Sequence, residues 1–289
     1  MSENINIAMI GAASPIGEVI LEQLAERQFP VEQLIPLGFD DDLDATVEFA
    51  GKNVHVQNIA EFNFSKVTLV FLCQVDESFQ PIVDRILDAN CKLIEVGSNL
   101  QNAPAIVADI HCDEPLLKES QHIRSASGLA VVLTHLLNKI NIEQGIKSLH
   151  FTALNSVSEK GKAGIDELAM QTTNLLNTRP IKPAVFKKQI AFNVMTDDGD
   201  VNATGFTMGE LEIINELQDL MFESNSNEVS IMPSFIHIPV FYGVSVDINI
   251  ELEREIDIRT FETIISENSN VESLGKSCSE RSWSIRKVY

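Results

Sequence analysis

Residues 5–17 read INIAMIGAASPIG. The first six of them, Ile5–Ile10, are almost wholly apolar, which is typical of a strand buried on both faces of a parallel sheet. Gly11 and Gly17 follow six positions apart, where the first can make a tight turn and the second can let a helix pack closely on the strand. A helical stripe over Ile16–Ala25 is then formed by Ile16, Val19, Ile20 and Leu24. This order of strand, turn and helix predicts the start of a dinucleotide-binding domain.

The turn itself supplies the candidate cofactor contacts. Backbone N–H groups at a helix start can face a pyrophosphate, and the residues placed to do so are Gly11, Ala12, Ala13, Ser14, Pro15, Ile16 and Gly17. The middle position is Ser14 rather than glycine, so the backbone can approach a ligand less freely there. The alternative is a turn in which the glycines are kept for backbone geometry alone.

An acidic run follows the second predicted strand. Asp40–Asp42 occupies the region where an acidic side chain can accept hydrogen bonds from an adenosine ribose and repel a 2′-phosphate. If a nicotinamide cofactor binds, this run favours NAD over NADP. The alternative is a solvated acidic loop without a ligand.

Further strands and helices alternate in the first part of the chain. Strands are predicted at Leu34–Leu37, Val67–Leu72 and Lys92–Val96, with a helix over Gln80–Ala89 between the last two. Such alternation indicates βαβ units with right-handed crossovers. We therefore predict that residues 1–125 form a Rossmann-type domain with a doubly wound parallel sheet.

The pattern changes after about residue 125. Helices are predicted at Leu129–Asn138, Lys162–Asn177 and Gly209–Glu223, with stripes led by Ile165 and Leu168 and by Leu211, Ile214 and Leu217. Strands are predicted at Ser148–Leu154, Glu228–Ile231 and Ile236–Glu253, the last interrupted at Tyr242–Gly243. The second domain, residues 126–289, is therefore expected to be α+β, and the whole chain α/β.

Composition limits the classes of partner. With 44% hydrophobic residues and a formal net charge of -21, the chain is expected to be globular and to avoid nucleic acids and anionic membranes. Its four cysteines form no CxxC pair and its histidines have no ligand-like spacing, so we expect neither a metal site nor a disulfide framework. The N-terminus has no basic segment and only a short apolar stretch, which argues against a signal peptide and predicts a cytoplasmic protein.

Several motifs resemble one family over most of the chain. They are GAASPIG at 11–17, ERQFP at 26–30, FAGKNV at 49–54, GIDEL at 164–168, IAFNV at 190–194 and IPVFYGVSVDINIELE at 238–253. Together they resemble the aspartate-semialdehyde dehydrogenase family. The resemblance implies an NADP-binding first domain, a second domain that forms a homodimer, and catalysis by a cysteine thiolate through a thioacyl intermediate that hydride transfer and phosphate resolve.

The positions that carry this chemistry are substituted. By the resemblance, Gly128 falls at the catalytic cysteine, Asn155 at a glutamine of the following strand, and Val244 at the histidine base. His237 falls at a substrate-binding arginine and Glu212 at a nearby lysine. Such chemistry needs an activated nucleophile, a base and cations for anionic groups.

The cofactor and phosphate positions differ in the same way. The residues that clamp the 2′-phosphate of NADP fall near Asp40–Asp42, and the first-domain arginine that would hold phosphate has no basic counterpart in Val96–Gln101. Within that segment, Ser98 is counted with the cofactor-binding residues. The segment Ser273–Tyr289 does not resemble the family's helix that returns to the first domain, so that helix is expected to be missing.

The sequence thus predicts a non-catalytic family member that has lost its catalytic cysteine and histidine, and binding of a dinucleotide, a metabolite or another protein stays open. Two alternatives stay open. One is an NAD-dependent oxidoreductase that acts on a different, uncharged or cationic substrate. The other is a regulatory or scaffold protein that pairs with an active relative.

Overall fold

The computed structural model describes residues 5–39, 42–73, 79–96, 103–111, 119–197, 199–222 and 229–267. Asp40, Asp41, Ser98 and the segment Ser273–Tyr289 lie outside these residues. The chain divides into two compact units, Met1–Ser127 and Gly128–Tyr289, which are described separately. Among the helices of the described residues, none has the length and apolarity needed to cross a bilayer.

The first unit contains a seven-stranded parallel sheet in the order β5-β2-β1-β6-β7-β9-β8. Its strands are β1 (Ile5–Ile10), β2 (Val31–Gly38), β5 (Gln57–Asn58), β6 (Leu69–Leu72), β7 (Lys92–Glu95), β8 (Ala105–Ile106) and β9 (His122–Ser125). The hairpin β3 (Thr46–Phe49) and β4 (Lys52–His55) and the helices α1 (Pro15–Glu26), α2 (Gln80–Asp88) and α3 (Ala108–His111) complete it. The predicted doubly wound parallel sheet is confirmed.

Strand β1 is covered on both faces, as its apolar run predicted. Ala8 and Ile10 pack into a cluster that includes Val83 and Ile86 of α2. Ile7 and Met9 point to the opposite face and pack against a second cluster that contains Leu21 of α1. Because β1 pairs with β2 on one side and β6 on the other, the turn after β1 lies at the topological switch point of the sheet. Ligands of open α/β sheets bind at such points.

The predicted stripe of α1 is partly wrong. Ile16 and Val19 are 42% and 44% exposed, and the fully buried side chain of the helix is Leu21. Ile20 and Leu24 do pack against the core, although only partly buried. The buried face is therefore centred on Leu21, because the close approach of Gly17 to the turn fixes how the helix is rotated on the sheet.

The second unit contains a four-stranded sheet in the order β11-β12-β10-β13. Its strands are β10 (Ile146–Asn155), β11 (Met195–Thr196), β12 (Ser230–His237) and β13 (Val244–Leu252), and its helices are α4 (Gly128–Gln144), α5 (Gly161–Leu176), α6 (Met208–Met221) and α7 (Ile258–Ser266). β10 runs parallel to β12 and antiparallel to β13. The predicted second helix-and-strand domain is confirmed.

Two details of the second unit differ from the sequence prediction. The predicted strand Ile236–Glu253 is divided, because Ile236 and His237 end β12 and the segment 238–243 connects to β13. On α5, Leu176 is 73% exposed, whereas the polar Glu167 and Gln171 are buried. The predicted stripe is right for Ile165 and Leu168, which pack in the core of this unit, but it omits Glu167 and Gln171 because apolar periodicity does not detect a buried carboxylate or amide.

Candidate functional site

One end of the second sheet brings together three of the site positions predicted from the sequence. Asn155 is the last residue of β10, and the strand register pairs it with His237 on one side and with Val244 on the other. The segment that follows His237 is fixed to this end, because Ile238 N–H donates to Asn155 O and Ser156 N–H donates to Gly243 O. The sheet topology therefore places an amide, an imidazole and an isopropyl group side by side.

His237 is enclosed at this end of the sheet. It is 1% exposed, and the ring of Phe186 packs edge-on against it with ring centroids 5.5 Å apart. Its Nδ1 lies 3.5 Å from Oε2 of Glu159, and its Nε2 lies 3.5 Å from Oδ1 of Asp197. In the described residues neither nitrogen has a partner within hydrogen-bond geometry. The imidazole thus faces two carboxylates of its own chain.

Asp197 is held as an anion. Its pKa is lowered overall: burial acts to raise it, but hydrogen bonds from the Thr207 hydroxyl and the Gly199 N–H, with His237 and Lys160 nearby, outweigh that effect. Thr207 is also the N-cap of α6, where it forms a reciprocal capping box with Glu210. The hydrogen bond from the Thr207 hydroxyl therefore fixes the Asp197 carboxylate to the start of α6.

Gly128 and Glu212 occupy different surroundings. Gly128 is the first residue of α4, and a Cβ built there would meet no heavy atom within 4 Å. Glu212 is exposed on α6, two residues after the capping Glu210. A side chain at position 128 would therefore be accommodated, and the charge of Glu212 is largely solvated.

The dinucleotide turn has the backbone that its sequence predicted. Gly11 has a positive φ of 74°, and a Cβ on Gly17 would lie 2.3 Å from Gly11 O. Both positions therefore require glycine for steric reasons. The helix begins with Ser14 as N-cap, whose Oγ accepts a hydrogen bond from Gly17 N–H at 3.1 Å.

The acidic candidate that is described also has a local contact. Asp42 Oδ2 accepts a hydrogen bond from Phe39 N–H at 3.3 Å, which closes the loop after β2. The other candidates of this region, Asp40, Asp41 and Ser98, are not among the described residues.

Sequence reasoning missed Glu159 and Asp197, the two carboxylates beside His237. Neither belongs to a motif, and each lies far from His237 in sequence. The sequence does contain several acidic residues on either side of Thr207. Only the pairing of β11 with β12 shows that Asp197 is the one of them that lies beside the imidazole. Within the described ranges, no group of three or more His, Cys, Asp or Glu side chains is arranged to hold a metal ion.

Comparisons with known proteins agree with this architecture. Residues 6–122 match the model of the semialdehyde dehydrogenase NAD binding domain, and residues 137–274 match that of the semialdehyde dehydrogenase dimerisation domain. A USG-1 protein homolog of Pseudomonas aeruginosa is 30% identical over 96% of this chain and 82% of its own length. Aspartate-semialdehyde dehydrogenase 2 of Vibrio cholerae is 30% identical over 94% of this chain and 81% of its own length.

A solved structure is similar over the same extent. Aspartate semialdehyde dehydrogenase II from Vibrio cholerae, complexed with ASA, superposes with a TM-score of 0.86 at 30% identity and covers 94% of this chain and 81% of that chain. The fold and the comparisons define a protein of the class that joins an NAD-binding domain to a dimerisation domain. The chain belongs to the semialdehyde dehydrogenase family.

Proposed function

We propose that this chain is a non-catalytic member of the semialdehyde dehydrogenase family. One observation carries the proposal: the strand register brings Asn155, His237 and Val244 into one site. The three differences from the family pattern that the resemblance implies therefore change the same site. Valine cannot transfer a proton, and Gly128 offers no nucleophile. The loss of both members of a nucleophile–base pair removes the covalent route entirely, since such groups act as a unit.

The charges around His237 support the same proposal. An anionic substrate needs a cation directed at it, but the imidazole of His237 is buried between Glu159 and Asp197. Glu159 is 40% exposed and adds negative charge on the accessible side. Lys160 offsets part of this negative charge, so we expect a carboxylate or phosphate that approached this end of the sheet to bind only weakly.

The proposal is tested by assaying the purified full-length chain with aspartate semialdehyde, phosphate and either NADP or NAD. We expect no turnover above the background without enzyme, while an active relative assayed alongside gives normal rates. Turnover that is abolished by His237→Ala or Asn155→Ala would overturn the proposal. The variant Gly128→Cys/Val244→His tests the missing pair directly, and we expect it to stay inactive because His237 still faces two carboxylates.

The acidic surroundings of His237 favour a second candidate function. An NAD-dependent oxidoreductase with an uncharged or cationic substrate would be compatible with Glu159 and Asp197, as an anionic substrate is not. This candidate predicts NAD reduction with neutral alcohols, aldehydes or amines, and loss of that activity in Asp197→Ala. A regulatory role beside an active relative would instead be supported by co-purification of that relative under mild conditions.

We also propose that the chain forms a homodimer through its second sheet. Residues 137–274 match a dimerisation domain, and one face of this sheet carries exposed side chains on β12 and β13. On β12, Met232 and Ser234 are exposed whereas Ile231 and Phe235 are buried. This face contains a hollow of about 380 Å³ whose lining includes His150, Thr152, Met232, Ser234, Asp247 and Asn249. Light scattering should give the dimer mass, and Met232→Glu should shift it to the monomer mass, with Glu212→Gln as the control.

A further inference from the structure

We propose that Ser14 and Pro15 turn the family's dinucleotide turn into a self-capped helix start that binds a pyrophosphate only weakly. The inference deepens the proposed function, since it concerns the cofactor step of a chain proposed not to turn over substrate. It rests on the hydrogen-bond partners of the N–H groups at the start of α1, which are among the groups that a phosphate would use.

The first four N–H groups of an α-helix have no acceptor within the helix. At the start of α1 these belong to Ser14, Pro15, Ile16 and Gly17. Ser14 N–H donates to Gly11 O at 3.0 Å, and Gly17 N–H donates to Ser14 Oγ at 3.1 Å. Proline has no N–H group. In the described residues, Ile16 therefore has the one N–H of these four that no protein acceptor occupies.

The presence of Gly11 and Gly17 is consistent with weak binding of a pyrophosphate, because the backbone of the turn and its packing require both glycines. A Cβ on Gly17 would lie 2.3 Å from Gly11 O and 2.7 Å from Ala12 O. The turn would keep both glycines to fold, whether or not it bound a phosphate. The residue that a binding turn needs for close approach of the backbone is the middle glycine, and this position is Ser14.

The ribose side of the crevice supplies an independent observation. An acidic residue after the second strand would accept hydrogen bonds from an adenosine ribose, and one of the two carboxylate oxygens of Asp42, Oδ2, accepts the Phe39 N–H at 3.3 Å. At both ends of the crevice, part of the hydrogen-bonding capacity of the described groups is thus used within the protein. The residues present fit the fold of a dinucleotide site, but the start of α1 offers a ligand fewer N–H donors than a helix start without a capping side chain and a proline would.

The experiment measures binding of NAD and NADP to the full-length chain by titration calorimetry. Removing the capping hydroxyl in Ser14→Ala frees the Gly17 N–H for a phosphate. We expect the affinity for the dinucleotides to rise about fivefold, which corresponds to the free energy of a typical N-cap hydrogen bond. In Ser14→Gly/Pro15→Ala a second donor is restored, and we expect a rise of at least about tenfold, since a charge-assisted bond is stronger than a neutral one.

Two controls separate the hydroxyl from other effects. Ser14→Thr keeps a capping oxygen and should bind the dinucleotides as the unchanged chain does. Ser65→Ala removes a hydroxyl that is far from Ser14 in the sequence and that donates to Asn63, so it should also leave the affinity unchanged. Thermal melting verifies that each variant is folded, and the dinucleotides should raise the melting temperature of the double variant more than that of the unchanged chain.

Three results would overturn the inference. They are equal affinity for Ser14→Ala and Ser14→Thr, weaker binding by Ser14→Ala than by the unchanged chain, and no binding by any variant. Turnover by the unchanged chain would overturn the proposed function instead, without altering the order of these affinities.

Discussion

Oδ1 of Asp197 lies 3.5 Å from Nε2 of His237, although 40 residues separate them in the sequence. The pairing of Met195 with His237 between β11 and β12 brings them together, because Asp197 follows directly on β11. The same carboxylate holds Thr207 at the start of α6. Asp197 thus joins the end of the sheet to the helix beside it.

The first prediction concerns acid stability. The pKa of Asp197 is lowered in the folded chain, so its ionised form stabilises the fold above the unfolded pKa of about 3.9. This contribution is lost as the pH falls from that value through the lowered one. We expect Asp197→Asn to unfold at a lower urea concentration than the unchanged chain at pH 7, and the difference to shrink between about pH 4 and pH 2.

The control for Asp197 is Asp166→Asn. Asp166 pairs with Lys162 on the exposed surface of α5, where both side chains are more than half exposed. Such a pair contributes little, so its variant should follow the pH dependence of the unchanged chain. A difference for Asp197→Asn that stayed constant down to pH 2 would contradict the linkage argument.

The second prediction concerns Glu167, a carboxylate that is only 3% exposed. It accepts hydrogen bonds from the N–H groups of Ala184 and Val185 and from the Gln171 amide. The Gln171 oxygen in turn accepts from Ile190 and Ala191. We expect Glu167→Ala to lower the free energy of unfolding by about 3 kcal/mol, because buried donors lose a charged acceptor.

Glu212→Ala is the matched control for Glu167. Glu212 is an exposed glutamate within α6, away from both ends of the helix. Its truncation should change the free energy of unfolding by at most about 0.5 kcal/mol. Both variants are compared by urea denaturation. Equal losses would show that the segment 184–191 is held by its apolar contacts rather than by Glu167.

These cases show which parts of the structure could be predicted from the sequence. The apolar run of β1 and the spacing of Gly11 and Gly17 identify the first domain, because burial on both faces and close helix packing leave local signatures. The contacts of Glu167 and of Asp197 leave none, since each joins segments distant in sequence and uses backbone N–H groups that any residue supplies. The exposure of Ile16 and Val19 was missed for a related reason, because the rotation of α1 depends on how Gly17 meets the turn.

The third prediction compares two glycines that each lie in the first turn of a helix, Gly17 in α1 and Gly128 in α4. A methyl group on Gly17 would overlap the carbonyl oxygens of Gly11 and Ala12, whereas one on Gly128 would meet open space. We expect Gly17→Ala to lower the free energy of unfolding by about 3 kcal/mol. Gly128→Ala should leave it unchanged or raise it by up to about 1 kcal/mol, since alanine favours the helix. A mild effect of Gly17→Ala would mean that the turn can open, and the steric argument for its glycines would be wrong.

The last prediction concerns Cys73, which follows β6 and is 5% exposed. Burial raises the pKa of its thiol to about 12, so at pH 8 only about one thiol in ten thousand is the reactive thiolate. We expect mass spectrometry after brief treatment with a maleimide to find Cys73 unlabelled in the native chain and labelled after denaturation in urea. Gly128→Cys places a thiol at an exposed helix start and is the positive control, since it should react in the native chain. Native labelling of Cys73 at a rate near that of position 128 would mean that the end of β6 opens readily to solvent, because neither burial nor its raised pKa would then protect the sulfur.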